Sequence, residues 1–210
     1  MRSDVVIVAC AGRGPRIQHT GAIAVRRTGP DTVHLVSAAA TPLGGDVVSV
    51  RVVVEPGARL AVRTAAATVT LPSAATPESW ACWNVESAGV LDIDPQPTVV
   101  AGGSRHLTAT RIRLTGAGSI RVRERVQIGR FDEYEGFWSG ALHADIDGAP
   151  LLRHRVELGT GSVTDDALGR PLAYVSELRY PEVSFESDGT VLALAAGGCL
   201  ATWQGERLTN

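Results

Sequence analysis

The chain has 210 residues, 44% of them apolar and 20% charged, which excludes a disordered or fibrous polypeptide and allows a core that needs no covalent staples. Twenty basic groups, all arginine, face 22 acidic ones for a net charge of −2, so composition implies no nucleic acid or other polyanionic partner. A single domain over residues 1–210 is the expected organisation.

The first expected strand is Val5–Ala9. Ile7-Val8-Ala9-Cys10 superficially matches a lipoprotein cleavage box, but the apolar run spans only Val5 to Val8 and Asp4 interrupts the basic segment. A secretion signal needs about 7–15 apolar residues, more than that run supplies, and no run reaches the roughly 18 of a membrane span. Cys10, Cys82 and Cys199 are odd in number, far apart and without a C-x-x-C, so neither a disulfide framework nor a zinc ribbon is expected. A reducing cytoplasm is the expected setting.

Alternation with a period of two continues along the chain, where 25 valines and 17 threonines are punctuated by 23 glycines and 11 prolines. It predicts strands at Ala22–Arg26, Thr32–Ser37, Val47–Val54, Arg59–Thr64, Trp80–Glu86 and Val90–Ile93. Leu43-Gly44-Gly45-Asp46 precedes the strongly apolar run at Val47 and reads as a turn in which Asp46 bonds nearby amides. Thr110–Thr115 turns Ile112 and Leu114 inward, and Gly116-Ala117-Gly118 connects it tightly to the next run. Over Ile120–Ile128, residues Ile120, Val122, Val126 and Ile128 face one way, and Arg121, Arg123, Arg125 and Gln127 the other.

Glu124 breaks that pattern, because it occupies an apolar-facing position between Val122 and Val126. A buried carboxylate is costly unless paired, protonated or wetted. Three readings follow: an ion pair with an inward arginine, a strand wet on both faces, or a carboxylate lining an internal polar passage. Gly129-Arg-Phe-Asp-Glu-Tyr-Glu-Gly136, with three acids in four residues, reads as a solvated turn that would also attract a hard or borderline cation. Further strands are expected at Phe137–Ile146, Leu151–Leu158, Tyr174–Arg179 and Thr190–Ala195, with Asp147-Gly148 as a hairpin turn. Asp165–Leu168, capped by Thr164, is the one candidate helical turn.

The fold class is therefore all-β, a β-helix-like or stacked multi-sheet architecture of many short strands with little helix and no repeat of fixed length. Catalytic signatures are missing: no G-x-S-x-G, no phosphate-binding G-x-x-x-x-G-K and no H-E-x-x-H, and the five histidines are scattered without metal-ligand spacing.

Four landmarks in order resemble the family of urease accessory protein D, UreD (UreH in some species). Gly44-Gly45-Asp46, a valine-rich strand and Glu55-Pro-Gly-Ala58 match its G-G-D, strand, x-x-G-A passage. Thr64-Ala-Ala-Ala-Thr68 is similar to its T-x-A-A-T, and Leu91–Thr98 before Gly102-Gly103 to its L-x-x-x-P-x-P-T. Glu124, with four residues between it and Gly129-Arg130, and Glu135 are similar to its run of an acid followed by G-R-x4-E. Val69-Thr70-Leu71 replaces the family's Lys-Val-Tyr, Tyr134 replaces a glycine, and the chain ends some tens of residues before long members.

The resemblance implies a non-enzymatic nickel-delivery chaperone that binds apo-urease and, with UreF and the GTPase UreG, inserts nickel into the urease active site. It implies a β-helix-like stack, no tightly bound cofactor, and nickel in transit past Asp46, Glu124 and Glu135. Nucleic acid and membrane are not expected partners. Sparse oxygen ligands suit release better than a His/Cys cage, which would trap the ion. Trp80, Trp83, Phe131, Phe137 and Trp138 are the aromatic candidates for either interface anchors or core. The alternative is a β-solenoid or sandwich module that binds carbohydrate or is purely structural. A scaffold built for a permanent partner is also expected to be poorly soluble alone.

Overall fold

The computed structural model describes residues 1–165 and 169–208. Its strands are β1 (Arg2–Ala9), β2 (Arg16–Thr20), β3 (Ile23–Arg27), β4 (Thr32–Ser37), β5 (Val47–Val54), β6 (Arg59–Thr64), β7 (Thr68–Thr70), β8 (Glu78–Ser87), β9 (Val90–Ile93) and β10 (Thr98–Val100). They continue as β11 (Arg105–Leu114), β12 (Ser119–Ile128), β13 (Phe137–Ile146), β14 (Ala149–Gly159), β15 (Ala173–Tyr180), β16 (Thr190–Ala193) and β17 (Cys199–Gly205). No helix occurs among the described residues, and the expected turn at Asp165–Leu168 falls on residues 166–168, which lie outside them.

Two sheets carry the architecture. One is ordered β14-β13-β11-β8-β5-β1-β2, the other β16-β17-β15-β12-β9-β6-β4-β3, with short β7 and β10 continuing from β12. The chain passes from the first sheet to the second at β5–β6, β8–β9 and β11–β12, so strands of successive passes stack in parallel. Antiparallel partners close the ends: β2 on β1, β3 on β4, β14 on β13, and β15 on β12. This is the stacked-strand, all-β arrangement expected from the alternation. Val47 lies opposite Trp80 and Trp80 opposite Leu107, while Leu60, Leu91 and Ile120 stack in the other sheet. These offsets differ from one another, which is why no fixed repeat is visible in the sequence.

Parallel stacking sets identical faces above one another, so the inward rows become continuous apolar ladders. Val5, Ile7, Val50, Val52, Val85, Ile112 and Leu114 from one sheet meet Leu60, Val62, Leu91, Ile93, Ile120 and Val122 from the other in the main cluster. A second, smaller cluster at the opposite ends of the strands holds Val100, Val126, Ile128, Trp138, Leu158 and Tyr174. Trp138 is fully buried, with its ring centroid 5.4 Å from that of Tyr174. Gly140 is required beneath it, since a Cβ there would overlap the indole.

On the outer face of the second sheet, Arg63, Asp92, Arg121, Asp94 and Arg125 alternate in sign across neighbouring strands, and Arg121 and Arg179 share Glu177. The arginine row of β12 is thus a half-buried ion-pair lattice. At Asp147-Gly148 both residues have positive φ, 48° and 82°, which gives the tight hairpin between β13 and β14.

Candidate functional site

Glu124 lies on β12 between Val122 of the main cluster and Val126 of the second one, so it marks a polar break between two apolar cores. Thr108 faces it from β11 in the other sheet and donates a hydrogen bond to its Oε1 at 3.0 Å. Among the described residues the carboxylate forms no ion pair, so the arginine-pair reading of Glu124 is not what the fold adopts. The strand is not wet on both faces either, because Val122 and Val126 are buried.

A cavity of about 220 Å³ opens between the sheets beside Glu124. It exists because small side chains stand where large ones would meet: Ala81 on β8 and the run Thr64–Thr68 after β6 leave the space unfilled. Pro95, Gln96 and Thr98 form another part of its wall, with Trp83 and Thr108 across from them. All four stretches singled out in the sequence thus reach one cavity, the first through Val48 and Val50 of its valine-rich strand, although they are distant along the chain.

The polar break continues on both sides of Glu124. His106, two residues before Thr108 and nearly fully buried, pairs its Nδ1 with Ser79 Oγ at 2.9 Å, and burial pushes its pKa down to about 4, so the ring is neutral. Ser176 is the β-partner of Glu124, and Tyr174 on the same strand meets His154 Nε2 at 2.7 Å through its hydroxyl. Burial raises the Tyr174 pKa and lowers that of His154, which keeps this pair uncharged as well. Nothing in the sequence pointed to His106, Tyr174 or His154. Their polar partners sit on other strands, and only the register brings them together.

Burial also pushes Glu124 up to about 7, with the Thr108 hydrogen bond pulling the other way. Near neutral pH this carboxyl is therefore divided between its acid and its anion. A group in that state exchanges a proton for a cation readily, and one carboxylate without further ligands holds a cation weakly. Among the described residues no three His, Cys, Asp or Glu side chains converge as a metal-ligand set.

Asp46 is buried in the turn before β5, and its carboxylate is occupied by this chain's own donors. It accepts from Thr41 Oγ1 and the Leu43 N–H at 2.9 Å each, and from the Met1 amine at 2.6 Å. Burial alone would raise its pKa, but these donors outweigh it and hold the group below the usual range. Thr41 and Pro42 wall the cavity, so Asp46 shapes its edge from behind.

Glu135 stands elsewhere. It is exposed and lines a separate, open groove of about 1280 Å³ at the end of β12, together with Phe131, Tyr134 and Arg207. Glu133 in the same loop is held down to about 2 by Arg130 and by the N–H groups of Gly102 and Arg130. Of the aromatic candidates, Phe137 and Trp138 are core, Trp83 walls the cavity, and Phe131 is 80% exposed.

Comparison with known proteins gives the same family from several directions. A family model described as UreD urease accessory protein matches residues 14–175. The chain is 38% identical over 176 residues to urease accessory protein UreD of Frankia casuarinae, covering 76% of this chain and 55% of that protein. It is 36% identical over 185 residues to UreD 1 of Saccharopolyspora erythraea, covering 83% and 72%. Against UreD of a Parafrankia species it is 39% identical over 175 residues, covering 80% and 58%. The chain thus spans about half to three quarters of the length of these curated relatives.

Proposed function

The chain belongs to the UreD urease accessory protein family, and from that membership we propose that it is a scaffold and nickel-delivery chaperone for urease. In this reading it binds apo-urease and UreF, together with the GTPase UreG, and nickel is its cargo. The role is non-enzymatic and cytoplasmic. No helix among the described residues is long and apolar enough to cross a membrane.

The observation that carries the transit half of the reading is Glu124 beside the inter-sheet cavity, with Thr108 as its one hydrogen-bond donor among the described residues. A nickel ion entering this space displaces the carboxyl proton and gains one anionic oxygen. With no preformed cage around it, the ion is free to move on when a stronger ligand set is presented. Thr108 orients the carboxylate, and the neutral His106 adds no charge to repel the ion. Asp46 acts at one remove, by holding the turn that carries Thr41 and Pro42. Glu135 offers a solvent-facing carboxylate at the groove rather than in the cavity.

The docking half rests on the groove at the end of β12, where Phe131 and Tyr134 are 80% and 66% exposed. Exposed aromatic side chains beside arginine are the residues that protein interfaces concentrate. Family membership favours this reading over a carbohydrate-binding or purely structural β-module.

Co-expression with urease subunits, UreF and UreG tests both halves. Glu124→Ala is expected to co-purify with its partners while lowering urease activation, and Phe131→Ala with Tyr134→Ala is expected to weaken co-purification. Normal activation by Glu124→Ala and Asp46→Ala chains would remove the transit role and leave the scaffold. Retained UreF and urease binding by the double aromatic variant would move docking away from this groove.

A further inference from the structure

One end of the fold carries a second opening, separate from the polar cavity. The turn after β1, the turn between β3 and β4, and the start of β6 enclose a cleft of about 360 Å³. Loop residues 10–14, Arg27, Asp31 and Arg59 line it. Three exposed arginines, Arg13, Arg27 and Arg59, therefore line one small cleft together with a single acidic residue, Asp31. None of the three forms an ion pair among the described residues. Arg16, Arg26, Arg105, Arg111 and Arg207 likewise form none among the described residues, so what sets Arg13, Arg27 and Arg59 apart is that they line one cleft together.

The cleft is built rather than incidental. Gly12 adopts φ 71°, a left-handed conformation that turns the loop after β1 where it lines the opening. Gly14 has no side chain where the Arg27 guanidinium lies, and an added Cβ would overlap it. Arg27 is held in that position by its Nε, which donates to the Gly29 carbonyl at 3.0 Å. The charge is also segregated along the chain: residues 1–63 carry eight arginines and four acids, the remainder twelve and eighteen.

Guanidinium groups stay charged at any ordinary pH, and like charges gathered around one cleft repel one another less when an anion lies between them. Their planar forks match the paired oxygens of a phosphate better than a point charge does. A cleft of this volume is too small for a folded partner. We propose that it binds a small phosphate-bearing anion, with Arg27 and Arg59 gripping the phosphate oxygens and Arg13 contributing from the glycine loop. This site is independent of the accessory role and of Glu124.

Titration calorimetry of the full chain with pyrophosphate and with inorganic phosphate, at constant ionic strength, tests it. Saturable one-to-one binding of pyrophosphate is expected, weakened about tenfold or more in Arg27→Gln and in Arg59→Gln. Arg111→Gln, which removes an exposed arginine elsewhere, is expected to change the affinity little. Gly14→Ala is expected to weaken binding as Arg27→Gln does, and Arg59→Gln decides the matter if either of those fails to fold by circular dichroism. Absence of saturable binding to both anions overturns the proposal, as does equal weakening by Arg111→Gln. So does binding confined to vesicles of phosphatidylcholine and phosphatidic acid, with none to pyrophosphate.

Discussion

Glu124→Gln changes one atom in the cavity and yields a signed, pH-dependent result. In the wild type the carboxyl moves from an ordinary 4.5 when unfolded to about 7 when folded, chiefly through burial. Below pH 4.5 both states are protonated and the group is neutral for stability. As pH rises, the unfolded chain ionises first, so stability falls through the window between 4.5 and 7 and levels off above it. At about 1.4 kcal/mol per pKa unit, the fall approaches roughly 3 kcal/mol. Glutamine still accepts the Thr108 hydrogen bond but does not ionise, so its variant escapes the loss. Urea unfolding of both proteins between pH 5 and 8 is the assay. The glutamine variant should gain on the wild type steadily with pH, by up to about 3 kcal/mol at the alkaline end. Parallel stability curves would refute a desolvated carboxyl with a raised pKa at this position.

Three further outcomes follow from the same structure. Asp46→Ala strips the acceptor from Thr41 Oγ1 and the Leu43 N–H, and should cost about 1–3 kcal/mol in thermal or urea unfolding. Gly44→Ala places a Cβ into the backbone carbonyl of Thr76; a loss of about 1–3 kcal/mol is expected, because backbone on both sides must move. Arg121→Met leaves buried Glu177 with Arg179 as its main remaining partner, so stability should fall by about 1–3 kcal/mol. Added salt should recover little of that loss, since half-buried pairs are poorly screened.

Strand positions were legible where apolar residues were dense between turn signals, strictly alternating or not. Thr32–Ser37, Val47–Val54, Arg59–Thr64, Val90–Ile93 and Phe137–Ile146 coincide with β4, β5, β6, β9 and β13. β2 escaped because four of its five residues are exposed and it carries no apolar row. β7 and β10 are three residues each, too short for any period to show, and β17, with the polar Thr202 and Gln204 in its second half, also went unmarked. Short as it is, β7 pairs along its whole length with β10, Thr68 to Thr98, Val69 to Val99 and Thr70 to Val100.

Glu124 was conspicuous in the sequence because one acid in an apolar row violates a local rule. The cavity beside it left only the alanines of Thr64–Thr68 as a trace, since a void is the absence of side chains from several distant segments. Asp46 was recognisable as a turn acid, but the sequence does not show that its oxygens are consumed by local donors. Glu135 looked like a neighbour of Glu124, yet the loop after Ile128 carries it out of the sandwich to an exposed position in the groove.

The most direct test of the central claim is the nickel content of urease matured at limiting nickel in cells whose only copy of this protein is Glu124→Gln. Each purified complex should contain the same partners as the wild type. Passage of nickel along the inter-sheet cavity predicts urease with markedly fewer ions per active site. Fully loaded urease from those cells would contradict it.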